Sequence, residues 1–138
     1  MRETLVQQIQ RHEGLRLKPY HCAAGKLTIG YGRNLEEVGI TAHEASFLLT
    51  GDLMRVEDDC LHAFPWFADL SDDRKDVILN MCFNLGLSGL KKFAKFLQAV
   101  ELGNYDTAAD EMLSSLWARQ TKGRAIELAQ LMRGPENV

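Results

Sequence analysis

Cysteine is scarce in this 138-residue chain, and the few cysteines present are not spaced for bridges or metals. Cys22, Cys60 and Cys82 are odd in number and form no C-x-x-C pair, which argues against a disulfide framework or a thiolate zinc site. The four histidines form no H-E-x-x-H pattern, and the chain lacks a P-loop and a G-x-S-x-G motif. We therefore expect no metal, no cofactor, and neither a nucleotide-binding protein nor a serine hydrolase.

Long apolar runs are missing as well. No stretch approaches the roughly 18 residues that a membrane span needs, and Arg2, Glu3 and Arg11 interrupt the apolar segment of a secretory signal. We therefore expect a cytoplasmic protein with no membrane anchor. With 46% hydrophobic and 25% charged residues the composition is that of an ordinary globular protein, and the length predicts a single domain over residues 1–138.

Charge is distributed unevenly along the chain, although the net charge is only −3. Basic residues outnumber acidic ones in residues 1–35, whereas acidic residues dominate residues 36–76. A basic segment can attract a polyanion, but no recognised nucleic-acid-binding motif accompanies this one. We expect no nucleic-acid partner, and we interpret the acidic stretch 52–76 as a solvated face.

Hydrophobic periodicity predicts two regions of different secondary structure. Residues 3–12 fit a short amphipathic helix, and alternating apolar residues in 15–32 predict a β-hairpin, with Pro19 ending or edging its first strand. The rest of the chain has helical periodicity. We therefore predict an α+β fold, with a small helix-plus-hairpin lobe over about 1–40, an all-helical lobe over about 41–138, and a cleft between them.

The helical part carries its own boundary signals. Thr41 and Glu44 fit a capping box at the start of a helix of some 20 residues. Ser71 begins the next helix, and Gly86 and Gly89 punctuate its end. Apolar residues at three- and four-residue spacing predict the buried faces: Ala45, Leu48, Leu49, Leu53, Val56 and Cys60; Val77, Ile78, Met81, Cys82 and Leu85; Leu90, Phe93, Ala94, Leu97 and Val100; Ala109, Met112 and Leu113; Ala125, Ile126, Ala129 and Met132.

Glu13 stands where the first helix gives way to the hairpin. From position alone, a solvated helix-end glutamate is the commoner interpretation, but the surrounding string is specific. Residues 12–22 read H-E-G-L-R-L-K-P-Y-H-C and residues 27–32 read L-T-I-G-Y-G, with eight residues between Glu13 and Cys22 and five between Cys22 and Thr28. This closely resembles the phage-type lysozymes, the endolysins of glycoside hydrolase family 24, whose mark is a glutamate, eight residues, an aspartate or cysteine, five residues and a threonine.

The resemblance continues through the helical part and covers nearly the whole chain. Residues 80–86, N-M-C-F-N-L-G, resemble the helix that lines the family's cleft, and Trp117, Gln120, Thr121, Arg124 and Ala125 match its W-x-x-Q-T…R-A segment. It implies a lysozyme-like fold and hydrolysis of the β-1,4 bond between N-acetylmuramic acid and N-acetylglucosamine in bacterial peptidoglycan. It further implies that Phe83 and Asn84 bind the sugar and that Arg124 faces the catalytic glutamate.

The site residues that the resemblance implies are Glu13, Thr28 and Cys22. Glu13 would be the general acid of an inverting reaction, with the attacking water held by Thr28 and Cys22. Many relatives carry aspartate at the Cys22 position, and a thiol with an ordinary pKa of about 8.5 is mostly neutral at pH 7. Cys22 therefore acts either as a thiolate or as a small side chain that the position tolerates. Cys60 and Cys82, on apolar helical faces, are expected to be core thiols, and Trp117 a core residue.

Two other functions remain open at this stage: a lytic transglycosylase, which would form an anhydro product without water, and a non-catalytic peptidoglycan-binding module on the same fold. Thr28 argues against the first, and the retained Glu13 and Thr28 argue against the second. For the lysozyme we expect a monomer that waits in the cytoplasm, the host's if the gene is a phage's, until a separate holin permeabilises the membrane. The family layout is shortened between Gly32 and Thr41, which leaves little room for a third strand.

Overall fold

The computed structural model describes residues 2–135 and is mostly helical, with one small antiparallel sheet. This confirms the predicted α+β class. It divides into two compact units, Met1–Leu48 and Leu49–Val138, called unit 1 and unit 2 below. Within residues 2–135 no helix is both long enough and apolar enough to cross a membrane.

The elements in chain order are α1 (Leu5–Glu13), β1 (Arg16–His21), β2 (Leu27–Gly30), β3 (Arg33–Asn34), α2 (Ala42–Ala63), a 3₁₀ turn (Phe67–Asp69), α3 (Asp72–Lys91), α4 (Ala94–Glu101), α5 (Tyr105–Leu113), α6 (Leu116–Thr121) and α7 (Gly123–Arg133).

Helix α1 begins and ends at polar boundary residues. Thr4 is its N-cap, because the Thr4 hydroxyl accepts a hydrogen bond from the Gln7 backbone N–H at 3.1 Å. The helix therefore starts two residues later than the apolar periodicity predicted. It ends at Glu13, as predicted, because Gly14 adopts φ 72° and ψ 160°, a conformation that leaves the helix.

The sheet of unit 1 has the order β1-β2-β3 with both pairs antiparallel. Thr28 lies at its centre, opposite Tyr20 of β1 and Asn34 of β3. Pro19 sits on the edge strand, where the register shifts between Arg16 and Tyr20, so its missing N–H disrupts no regular ladder. The sequence predicted only a hairpin, because the two-residue strand β3 is too short to show an alternating pattern.

Helix α2 begins as predicted, but most of its apolar face is not buried. The Glu44 backbone N–H donates to the Thr41 hydroxyl at 3.1 Å, and the Thr41 N–H donates to the Glu44 carboxylate at 2.9 Å, which confirms the capping box. Of the six residues predicted to be buried, only Cys60 is fully so and Val56 partly, whereas Leu53 is 40% exposed. The prediction was wrong because periodicity reports an apolar face, not the presence of a partner for it.

Unit 2 holds the hydrophobic core. Cys60, Cys82 and Trp117 are buried in it, which confirms that all three are core residues. Gly86, with φ 74°, kinks α3 where the sequence placed a helix end, and the helix continues to Lys91. The sequence missed the short helix α6, which carries Trp117. The core residues are Cys60, Phe64, Phe67, Leu70, Val77, Ile78, Met81, Cys82, Leu90, Phe96, Ala99, Val100, Ala108, Ala109, Met112, Trp117, Ala118, Ala125, Leu128, Ala129 and Met132.

Candidate active site

Glu13 lies at the end of α1 with its carboxylate against the turn between β2 and β3. The side chain is exposed, and a Cβ atom built on Gly32 would stand 3.4 Å from the Glu13 Oε2. Gly32 adopts φ 89°, a conformation that L side chains rarely take. The turn therefore brings bare backbone alongside the carboxylate, and a larger residue at this position would crowd it.

Thr28 is the one buried side chain among residues 2–48, with only 3% of its surface exposed. Its hydroxyl donates to the backbone carbonyl of Lys26 at 2.8 Å. With its hydrogen directed at this carbonyl, the hydroxyl oxygen keeps its lone pairs for another donor. The central strand thus holds Thr28 as a hydrogen-bond acceptor of fixed position.

Cys22 is half-buried in the turn that connects β1 to β2. The turn is closed by the Gly25 N–H, which donates to the Cys22 carbonyl at 2.8 Å, and by the Cys22 N–H, which donates to the Lys26 carbonyl at 2.9 Å. Hydrogen bonds to its sulfur from the backbone N–H groups of Lys26 and Ala24, with a smaller contribution from the Thr28 side chain, lower the pKa of the Cys22 thiol. This turn therefore favours a thiolate.

The other two cysteines have the opposite environment. Burial raises the pKa of the Cys60 thiol to about 12, with the neighbouring Cys82 contributing. Burial also raises the pKa of the Cys82 thiol. Desolvation disfavours the charged form of a thiol, so Cys22 is the cysteine suited to chemistry as an anion.

The residues that were predicted to bind sugar lie on α3 in unit 2. Phe83 is 44% exposed, and Asn84 is exposed with its carbonyl oxygen accepting a hydrogen bond from the Trp117 indole N–H at 2.8 Å. The buried tryptophan therefore fixes the orientation of the Asn84 amide. The half-buried Arg124 donates through its Nε to the Asn80 side chain at 2.9 Å, and its predicted approach to Glu13 stays a prediction.

The structure thus joins Cys22 and Thr28 through the Lys26 carbonyl, to which both donate, and places the Glu13 carboxylate against Gly32, all within unit 1. Sequence reasoning missed two supporting residues, Gly32 and Asn80. Both lie inside the motif strings already quoted, but only the folded backbone shows what each one touches. In the part of the chain that the structure describes, no three His, Cys, Asp or Glu side chains are grouped to hold a metal ion.

Comparison with known proteins adds a family to this geometry. The family model described as "Phage lysozyme" matches residues 10–133. The chain is 33% identical to an endolysin of Salmonella phage P22, with 93% of this chain and 90% of the endolysin covered. It is 31% identical to an endolysin of Acyrthosiphon pisum secondary endosymbiont phage 1, with 91% and 85% covered. It is also 29% identical to the pre-baseplate central spike protein Gp5 of Enterobacteria phage T4; 94% of the chain aligns but spans about a quarter (27%) of that protein.

Proposed function

From the premise that the chain belongs to the phage lysozyme family and is a peptidoglycan-hydrolysing lysozyme, we propose that Glu13, Thr28 and Cys22 carry out the hydrolysis. The bond cleaved is the β-1,4 linkage between N-acetylmuramic acid and N-acetylglucosamine. The observation that carries this proposal is that Cys22 and Thr28, the two residues that the family spacing pairs with Glu13, both donate to the Lys26 carbonyl, at 2.9 and 2.8 Å.

Glu13 is the general acid. It gives its proton to the glycosidic oxygen, which leaves on the N-acetylglucosamine side as a hydroxyl group while positive charge develops at the anomeric carbon. The carboxylate stands at the end of α1, exposed to a ligand and backed by the Gly32 backbone. A carboxyl group that must reach a substrate oxygen needs this open placement together with a defined position.

Thr28 and Cys22 hold the attacking water. The Thr28 hydroxyl gives its hydrogen to the Lys26 carbonyl, so its oxygen can accept a hydrogen from the water. The Cys22 thiolate, favoured by the N–H groups of Lys26 and Ala24, accepts the second hydrogen and takes the proton as the new bond to the anomeric carbon forms. Attack by a held water on the face opposite the acid gives inversion.

Phe83, Asn84 and Arg124 contribute binding and electrostatics. The exposed Phe83 ring offers an apolar face to a sugar, and Asn84 offers its amide N–H₂, because its oxygen is engaged by Trp117. Arg124 stands at the motif position of the family's arginine, and its proposed role is to stabilise the carboxylate that remains on Glu13 after proton transfer. Its hydrogen bond with Asn80 supports this role by holding the guanidinium in one orientation.

Replacing Glu13 with glutamine tests the assignment. The variant Glu13→Gln keeps the shape and loses the proton, so the rate of cell-wall hydrolysis should fall by about 10²–10⁴-fold with folding unchanged. The matched control is Glu3→Gln, which neutralises the carboxylate that pairs with Arg11 beside the same helix. The readouts are turbidity of purified cell walls and circular dichroism. A Glu13→Gln protein that clears cell walls at the wild-type rate would overturn the role of Glu13.

We propose further that the enzyme acts as a monomer from the cytoplasm, after a separate holin or similar protein has permeabilised the membrane. The similarity to two phage endolysins supports this order of events. Cells that express the protein alone should stay intact and should lyse when the membrane is permeabilised. Prompt lysis on expression of the protein alone would show that it has its own route to the wall.

A further inference from the structure

The position of Gly32 determines how much room the Glu13 carboxylate has. A Cβ atom on Gly32 would lie 3.4 Å from the Glu13 Oε2 and 3.7 Å from its Cδ, so backbone and carboxylate are already neighbours. Gly32 occupies the short turn between Ile29 and Arg33, which are paired across β2 and β3. Any movement of this turn changes the space open to the catalytic group.

The residue that follows Gly32 is tied down by a bidentate ion pair. The two terminal nitrogens of Arg33 donate to the two carboxylate oxygens of Glu44 at 2.9 and 2.7 Å, and one of them also donates to the Gly39 carbonyl at 3.0 Å. The planar guanidinium matches a carboxylate in this fork geometry. Glu44 is held in turn by the Thr41 backbone N–H at 2.9 Å, so the turn is anchored to the first turn of α2.

The apolar side chains between the β2–β3 turn and α2 do not form a second, buried connection beside this ion pair. A cavity of about 1060 Å³ lies between the β2–β3 turn and the first turns of α2, and Tyr31, Val38 and Phe47 on its walls stay exposed. Thr28 is the one buried side chain among residues 2–48. The pair Arg33–Glu44 therefore ties the β2–β3 turn to the first turn of α2.

We propose that Arg33 and Glu44 are positioning residues for Glu13: their ion pair holds the Gly32 backbone against the catalytic carboxylate. The proposal rests on the proposed function, because it assumes that Glu13 is the acid. The pair is partly exposed, with 37% and 38% of the two side chains accessible, so it contributes little to overall stability. A misplacement of about 1 Å in a catalytic group, in contrast, can cost about 100-fold in rate. The effect of breaking the pair should therefore appear in turnover rather than in unfolding.

The test is steady-state hydrolysis of soluble peptidoglycan fragments by Glu44→Gln, which keeps the shape and removes the charge. We expect kcat to fall about 10- to 100-fold, with KM within about twofold and the thermal unfolding of unit 2 unchanged. The matched control is Glu3→Gln, since Glu3 and Arg11 form a bidentate exposed pair of the same kind in the same unit. Its kcat should stay within about twofold of wild type.

A second set of variants separates positioning from a general structural role. Arg33→Lys keeps the positive charge but cannot form both hydrogen bonds in one plane, so we expect a smaller fall in kcat with normal folding. In a Glu13→Gln background, removing the pair by Glu44→Gln should cost no further rate, because the group it positions is already gone. An unchanged kcat in both Glu44→Gln and Arg33→Lys, or an equal loss from Glu44→Gln with and without Glu13, would overturn the proposal. Wild-type activity of Glu13→Gln alone would overturn the proposed function instead.

Discussion

The two units of this protein are organised by different forces. Among residues 2–135, the 21 buried hydrophobic residues all lie between Cys60 and Met132, in unit 2. The one buried side chain of residues 2–48 is the hydroxyl-bearing Thr28. Unit 2 is therefore held by apolar burial, which is strong and non-directional. Unit 1 is held by strand pairing, capping bonds and the Arg33–Glu44 pair, which are weaker but directional. The difference teaches that this lysozyme keeps its buried apolar side chains in one unit, and the groups proposed as acid and water holder in the other.

The cysteines repeat the same contrast on the scale of single side chains. In unit 1, backbone N–H groups directed at the sulfur lower the pKa of Cys22. In unit 2, burial among apolar side chains raises the pKa of Cys60 and Cys82. One residue type thus has an environment that favours its anion in the first unit and an environment that favours packing in the second.

Truncating one leucine in each unit should give the largest difference between the units, measured as the loss of free energy of unfolding. Leu90 is fully buried in unit 2, so Leu90→Ala should lower the free energy of unfolding by about 2–5 kcal/mol through lost burial and a residual cavity. Leu17 is 79% exposed on β1, and Leu17→Ala should change the free energy of unfolding by less than about 0.5 kcal/mol. Urea denaturation of both variants measures the two values. Equal losses would mean that unit 1 contains an apolar core after all.

Replacing Cys22 should affect activity and leave stability nearly unchanged. If its thiolate takes the proton from water, activity rises with pH as the thiol ionises. Cys22→Ala should then lose most activity, and Cys22→Asp should stay active with an optimum at lower pH, since a carboxylate is ionised from about pH 4. The control Cys82→Ala should keep the pH–rate profile of wild type. If the activity of Cys22→Ala stays within about twofold of wild type, Cys22 only fills its position and takes no part in the reaction.

Protonating Glu44 at acid pH should give the smallest effect, a small loss of stability. The Arg33 guanidinium, followed by the Thr41 N–H, lowers the pKa of the Glu44 carboxyl to about 2 from its usual 4.5. Its contribution to stability is therefore fully present above pH 4.5 and is lost as the pH falls towards 2. Because the pair is exposed, the change in melting temperature should be small. The carboxyl carbon shift of Glu44 measures the pKa directly, and a midpoint near 4.5 would show that the pair does not form in solution.

Features that depend on residues close together in the sequence could be predicted, whereas contacts between residues far apart in the sequence could not. The end of α1 at Glu13 and the Thr41–Glu44 capping box both depend on residues within one helical turn. The Arg33–Glu44 pair and the Trp117–Asn84 hydrogen bond join residues 11 and 33 positions apart, and no periodicity reveals them.

The prediction of a buried face on α2 was wrong for a related reason. Amphipathicity is a property of one helix, whereas burial requires a second element that covers it. Leu48 and Leu49 fit the stripe but stay 54% and 45% exposed. For the site, the spacing of Glu13, Cys22 and Thr28 identified the candidates, and the structure supplied the hydrogen-bond partners of Cys22 and Thr28.

The stereochemistry of the first product tests the central claim most directly. If Glu13 donates the proton while Thr28 and Cys22 hold the water on the opposite face, the new reducing end of N-acetylmuramic acid appears first as the α-anomer. Proton NMR of soluble peptidoglycan fragments, recorded within minutes of enzyme addition, resolves the anomers before they equilibrate. We predict the α-anomer first; an initial β-anomer, or an anhydro product without a reducing end, would contradict the account.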